Sequence, residues 1–437
     1  MEKHDDPHPH RQLALWLIGG TLASLAAILL LLHFLAPLPP RTLTMTTGAA
    51  GGAYALYAER YREILARQGV KLVLKPSSGT IENLRRLKGV DGTADVGFLQ
   101  GGVLHEPESE DLVTLGAMYY EPVWVFVRDD VNIERIADLR GRRVAIGVSG
   151  GGAQLLALEI ANRNGIATDD PNLVPLGGDA AIAALQRGEI DALVTVNGAQ
   201  APTVQTLLHL KGVRLLGFEQ SAAYARLMPQ LTDLTLPRGT IDLVADQPPE
   251  DLHLVAPTAN LVVRHDLHPA LVALLMQAAS EIHRSPGLFE KGNEFPAARD
   301  HELPPSPEAT RFYRSGPPLL QRVLPFWAAV MVDRLLWTLV PLMALLVPTM
   351  RLAPALLRWR VRSRIYRWYG ELKFLEEEAR HGNESDIGRW KAQLDQIEQR
   401  ALRRKVPLSY ANELYILREH IALVRQIIEG RSSRETH

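Results

Sequence analysis

Cysteine is absent from this chain of 437 residues. That excludes a disulfide framework, a thiolate nucleophile and any Cys-ligated metal or iron–sulfur centre. An excess of charge of either sign is also absent. Lys and Arg total 48 against 49 Asp and Glu, a formal net charge of −1, so nothing indicates a nucleic-acid partner. A complete G-x-G-x-x-G fingerprint is missing, which argues against a dinucleotide site. The C-terminal tail carries no obvious kinase, cyclase or phosphatase motif. What remains is an ordinary globular composition, 46% hydrophobic and 22% charged, in a chain long enough for two or three domains.

One pattern occurs twice. Residues 81–100 read IENLRRLKGVDGTADVGFLQ, and residues 182–198 read IAALQRGEIDALVTVNG. Each copy is a short helix, a Gly, an acidic residue and an apolar strand that stops at a polar group, Gln100 or Asn197. Two copies imply two similar α/β lobes whose polar strand ends face a shared cleft. The first lobe opens with a strand at 42–48, a glycine loop at 48–54 and a helix through about residue 68. Further strands are expected at 71–76 and 96–99. Ser78 or Thr80 is the expected N-cap of the intervening helix. The second lobe restarts at 144–148, followed by a glycine loop at 149–153 and a helix to about 164. Strands alternating with helices of this length predict a mainly parallel sheet. Crossovers between the lobes are expected at 123–130 and 252–264, which places lobe one at 41–127 and 255–300 and lobe two at 131–250.

Two long apolar runs flank this region. Residues 13–36 form a run of 24 residues broken only by Thr21, Ser24 and His33. As a helix it spans roughly 36 Å, enough to cross a bilayer with tilt. It exceeds the apolar core of about 7–15 residues of a cleaved signal peptide. A second candidate transmembrane helix lies at 324–350, interrupted by Asp333 and Arg334. Arg351, Arg358, Arg360, Arg362, Arg364 and Arg367 then follow with no acid among them, a pattern that marks the cytoplasmic side. The expected topology is a cytoplasmic N-terminus at 1–12, an anchor at 13–36, a periplasmic domain at 41–320 and a cytoplasmic helical tail at 351–437. The expected location is the inner membrane of a bacterium, with the lipid bilayer as one partner.

A glycine loop between a strand and a helix lets the backbone approach a ligand, and the helix N-terminus supplies N–H groups and partial positive charge. Loops at 48–52 and 150–152, with the hydroxyl-rich turn Ser77, Ser78 and Thr80, suit a carboxylate. The constellation T47-G48-A49-A50-G51-G52-A53-Y54, S77-S78-G79-T80-I81-E82-N83 and A94-D95-V96-G97-F98-L99-Q100 resembles the TAXI family of TRAP transporter solute-binding subunits. So do residues 139–147 with S149-G150-G151-G152, and G188-E189-I190-D191-A192. The resemblance covers roughly residues 41–300. It implies an α/β, two-lobed periplasmic-binding type II fold that hands a small organic acid or amino acid to a TRAP-type permease. By position it implies ligand contacts at Thr47, Gly51, Tyr54, Ser77, Ser78, Gly79, Gln100 and Tyr120 in lobe one, and at Ser149, Gly152 and Asn197 in lobe two. No cofactor and no metal are implied. The ending resembles that of a membrane-anchored subgroup.

In the tail, Ile387, Trp390, Leu394, Ile397 and Ala401 fall at a/d spacing, as do Leu414, Leu417, Ile421, Val424 and Ile428. Two such runs predict a helical hairpin or coiled coil, which could self-associate or dock a partner. That leaves ligand sensing as an alternative to transport. An enzyme is the third reading. Gly147, Ser149 and Gly151 match the nucleophile elbow G-x-S-x-G. Asp191 or Asp233 with His253, His265 or His268 would have to complete a triad, and nothing in the flanking sequence singles them out. Fold relatives that process thiamine precursors rely on Cys, which is missing here. No catalysis is expected.

Overall fold

The computed structural model describes residues 38–104, 111–299, 302–382, 386–402 and 411–432. The expected anchor at 13–36 and the terminus at 1–12 lie outside the described residues. The described residues form two compact units, one ending at 335 and the other beginning at 336.

The larger unit contains two five-stranded sheets. The strands of the first are β1 (Thr42–Thr46), β2 (Lys71–Lys75), β3 (Val96–Gln100), β4 (Leu112–Tyr120) and β12 (Thr258–Arg264), in the order β2-β1-β3-β12-β4. Those of the second are β5 (Val123–Arg128), β6 (Val144–Ala145), β7 (Leu173–Val174), β8 (Ala192–Val196) and β9 (Val213–Leu216), in the order β7-β6-β8-β5-β9. The two orders are topologically equivalent. In each sheet four strands run parallel and the fourth in order, β12 or β5, is reversed. A separate ribbon pairs β10 (Thr232–Leu236) with β11 (Leu252–Ala256).

Helices α1 (Ala53–Arg67) and α2 (Thr80–Leu87) belong to the first lobe, and α3 (Gly152–Arg163) and α4 (Gly178–Gln186) to the second. The repeated sequence pattern is therefore α2–β3 and α4–β8, at matching places in the two sheets. Short helices α5 (Pro202–Leu208) and α6 (Ser221–Leu227) complete lobe two, and α7 (Pro269–His283) packs on α1 in lobe one. The fold is α/β, with two lobes each built on a five-stranded sheet.

Two corrections concern boundaries. The chain crosses between lobes at Glu121–Pro122 and again at Pro257, because β5 pairs with β8 and β9. Residues 123–127, expected in lobe one, therefore lie in the sheet of lobe two, between β8 and β9. The crossings are joined by a hydrogen bond from Glu121 N to Pro257 O, 2.9 Å. The second correction concerns 324–350. After α8 (Pro307–Ser315) and α9 (Leu319–Val323), this stretch enters α10 (Phe326–His381). Phe326, Ala329 and Val330 are buried in the core of the binding domain, and Arg41 lies 5.2 Å over the Trp327 ring. The first turns of the expected span are thus docked on protein. Among the described residues no helix is long and apolar enough to cross a membrane.

In the smaller unit the end of α10 packs with α11 (Ile387–Leu402) and α12 (Ala411–Ser432). Trp390, Leu394 and Ile397 meet Leu417, Ile421, Val424 and Ile428, as the a/d spacing predicts, and Leu372 and Leu375 of α10 add a third face. Arg389 pairs with Glu378 and Arg400 approaches Glu371. As one number rises the other falls, so α10 and α11 run antiparallel. The product is a self-packed three-helix bundle.

Candidate functional site

Four helices, α1 to α4, begin at glycine N-caps, namely Gly52, Gly79, Gly151 and Gly177. None of the four N-cap side chains can bond the helix's free N–H groups. Their N-termini line one cavity of about 150 Å³ between the lobes. At about 30 Å³ per water, that is room for roughly five waters. The strand–glycine–helix order produces this arrangement. Each strand ends at the cleft, and a glycine lets the chain turn straight into a helix aimed back at it. Gly79 has φ +125°, a conformation that L side chains rarely adopt. It displaces Ser78 and Thr80 from the N-cap role. Ser78 N and Oγ instead donate to Glu82 Oε2, at 2.7 and 2.9 Å, and this holds the Glu82 carboxyl below its usual range.

The lobes touch across the cavity. Asn197 Oδ1 accepts the N–H of Ala53 at 2.9 Å. Thr203 Oγ1 donates to Gly51 O at 3.2 Å, and Gln100 Nε2 approaches Gly152 O at 3.4 Å. A Cβ on Gly152 would lie 3.1 Å from Thr80 Cβ and 3.2 Å from Gln100 Oε1. The site is therefore in a closed arrangement.

Of the sequence-expected contacts, Tyr54, Ser78, Gly79, Gln100, Gly152 and Asn197 line the cavity. Thr47, Gly51, Ser77, Tyr120 and Ser149 do not. Thr47 and Ser77 serve Asn83, which is fully buried. Asn83 Nδ2 donates to Thr47 O at 2.6 Å and Phe98 O at 3.0 Å, and Ser77 Oγ donates to Asn83 Oδ1 at 2.6 Å. This network pins the ends of β1 and β3 to α2. Tyr120 points to the other face of β4, where its hydroxyl donates to Glu294 at 2.8 Å and accepts from Arg299 at 3.1 Å. Gly51 meets the opposite lobe through its carbonyl. Ser149 is exposed.

The candidates for a hydrolytic triad are occupied elsewhere. Asp191 pairs with Arg143 at 3.1 Å, His253 lies beside Asp233 at 3.9 Å, and His268 Nδ1 accepts Ala270 N–H at 3.1 Å. Among the described residues no cluster of three or more His, Asp or Glu could hold a metal.

Sequence reasoning missed Glu121. It sits at the first crossover, is 3% exposed and lines the cavity. Its Oε2 accepts the Tyr54 hydroxyl at 3.0 Å, and Tyr54 also meets Thr80 Oγ1 at 3.2 Å. Burial pushes the Glu121 carboxyl up to about 8, with the Tyr54 bond opposing the shift. A signal was present. Glu121 is the single charged residue in 112–127, an otherwise strand-like run. The cavity lining contains no Lys, Arg or His.

Three solved structures are similar to parts of this chain. An ancestral arginine-binding protein bound to arginine is 16% identical, with 56% of this chain and 94% of that chain covered and a TM-score of 0.37. The periplasmic aliphatic sulphonate binding protein SsuA from Escherichia coli is 18% identical, with 70% and 82% covered and a TM-score of 0.38. The substrate binding protein of an amino acid ABC transporter is 16% identical, with 56% and 94% covered and a TM-score of 0.34. The family model that matches spans residues 45–314, both lobes and the cleft between them, and by that match the chain belongs to the NMT1-like family.

Proposed function

We propose that this protein is a non-catalytic, membrane-anchored solute-binding protein of the TAXI type. It captures a small carboxylate-bearing solute between its lobes and delivers it to a TRAP-type permease. The observation that carries the reading is the convergence of four glycine-started helix N-termini on a cavity with no basic side chain. Helix N-termini supply N–H donors and partial positive charge, which suits a carboxylate without an Arg clamp. Contacts from Tyr54, Ser78, Gly79, Gln100, Gly152 and Asn197 are part of the proposal.

The periplasmic location is proposed from the apolar run at 13–36 and the arginine run after 350. The alternative role is ligand sensing, with the self-packed tail bundle as the module that would dock a signalling partner.

Thermal-shift measurements on the full-length protein, with amino acids, monocarboxylates, dicarboxylates and 2-oxoacids, test the reading. A ligand at 100 times its Kd stabilises by about 2.7 kcal/mol. A folded protein that responds to no member of the panel would remove the carboxylate assignment.

A further inference from the structure

Glu121 has a feature that carboxylate capture alone does not explain. An acid has been placed in a cleft whose helix N-termini attract anions. Desolvating a carboxylate without a cationic partner is costly. Among the described residues the Glu121 side chain receives one hydrogen bond, from Tyr54. Its second oxygen has no bonding partner, and the residue lines the cavity. No Lys, Arg or His of the lining compensates it. The lining thus combines four helix N-termini, which attract anions, with one acidic group. An ammonium group on the ligand would supply the missing cation.

Resting on the carboxylate reading above, we propose that the ligand is a short-chain α-amino acid whose protonated amine is held by the Glu121 carboxylate. The cavity of about 150 Å³ suits an amino acid with a small side chain, such as alanine or serine. Tyr54 orients Glu121 by donating to one oxygen, which leaves the other for the amine. Thr80, against the Tyr54 hydroxyl, ties this acidic corner to the N-terminus of α2.

Burial holds the empty-site carboxyl near 8, so at pH 7 it is mostly protonated. Pairing with an ammonium favours the ionised form, so binding expels the proton. The surrounding groups do not titrate in that window. Tyr54, Tyr57 and Tyr119 are all shifted upward, chiefly by burial, and His283, stacked on Tyr119, is pushed down to about 3. Glu290 is also raised. It lies outside the cavity lining, and its carboxylate accepts Tyr120 N–H at 3.4 Å.

Calorimetric titration of the full-length protein with matched probes tests this. The pairs are L-alanine with lactate and L-serine with glycerate, in buffers of different ionisation enthalpy. Binding of the amino acids is expected to release close to one proton at pH 7 and to tighten as pH rises from 6 to 8. E121Q is expected to weaken them about 10–100-fold, the range for a lost charged hydrogen bond, and to spare lactate and glycerate. E290Q separates the second acid and is expected to leave the proton release intact. The proposal fails if the hydroxy acids bind as tightly as the amino acids and E121Q changes neither. It also fails if binding takes up a proton and weakens with pH, which would make Glu121 a protonated donor to the carboxylate. In both cases carboxylate capture survives. If neither series binds to folded protein, the carboxylate reading falls and this inference with it. The wild-type proton count decides the question even if E121Q does not fold.

Discussion

The Tyr54 hydroxyl, on a helix of lobe one, donates to the Glu121 carboxylate at the crossover into lobe two, 3.0 Å away. The pair joins the floor of the cleft to the hinge. It also places the acid of the cavity lining where the two lobes meet.

Glu121 should make the empty protein less stable at high pH. Its folded-state value of about 8 lies above the ordinary 4.5, so the folded state holds the proton more tightly. The destabilisation is absent below about pH 4.5, grows as pH rises, and is complete above 8. At 1.36 kcal/mol per unit it amounts to a few kcal/mol at most. E121Q should therefore raise the melting temperature at pH 9 and leave it nearly unchanged at pH 5. An equal effect at both pH values would contradict the buried-acid account.

Closure should depend on Asn197 and Gly152. Asn197→Ala removes the bond to Ala53 N and should cost about 1 kcal/mol of closed-state stability. Gly152→Ala introduces a Cβ 3.1 Å from Thr80 and should also shift the lobes apart. Both should weaken ligand binding several-fold and enlarge the domain in small-angle scattering. Unchanged affinity in both variants would show that these contacts do not hold the lobes closed.

Ser77 should matter for stability. Ser77→Ala removes a donor to the buried Asn83 Oδ1 and should destabilise by about 1–2 kcal/mol. Ser149→Ala, at an exposed position outside the cavity lining, should change neither stability nor affinity. Denaturant unfolding of the two variants side by side separates them.

His283 should limit stability in acid. Burial holds its folded-state value near 3, against 6.5 ordinarily, so the unfolded chain takes the proton first. Stability is fully present above about 6.5 and is lost as pH falls toward 3. His283 Nε2 has no hydrogen-bond partner, so His283→Phe should preserve the ring packing on Tyr119 and flatten the acid limb of the stability profile. A profile that falls as steeply in the variant would assign the acid loss to other groups.

In the tail, Trp390 is 1% exposed at the centre of the three-helix bundle. Trp390→Ala should cost about 3–5 kcal/mol. Trp390→Phe should cost less, since the indole N–H has no partner to lose. Hydrogen exchange should report the loss in residues 387–428 and leave the binding domain protected.

The sequence by itself determined the elements and their kinship. Strand–glycine–helix order and the twice-written pattern depend on short-range periodicity, and they reappear as α2–β3 and α4–β8. The a/d runs of the tail are legible for the same reason. Six of the eleven expected contacts line the cavity, because the glycine loops must sit at strand ends. Tertiary structure decided the rest. Thr47 and Ser77 share motifs with cavity residues, but the Thr47 carbonyl and the Ser77 hydroxyl turn toward Asn83, a contact that the fold and not the motif sets. Tyr120 faces away because successive strand residues point to opposite faces. Residues 123–127 joined the second sheet because β8 and β9 come to lie on either side of them. The turns from Phe326 look lipid-facing by hydropathy alone, yet they bury Phe326, Ala329 and Val330 against protein. Glu121 was visible as a lone acid in an apolar run. Its environment, with Tyr54 bonded to one oxygen and no cation in the cavity lining, exists only in the folded chain, because burial and pairing depend on neighbours that are distant in the sequence.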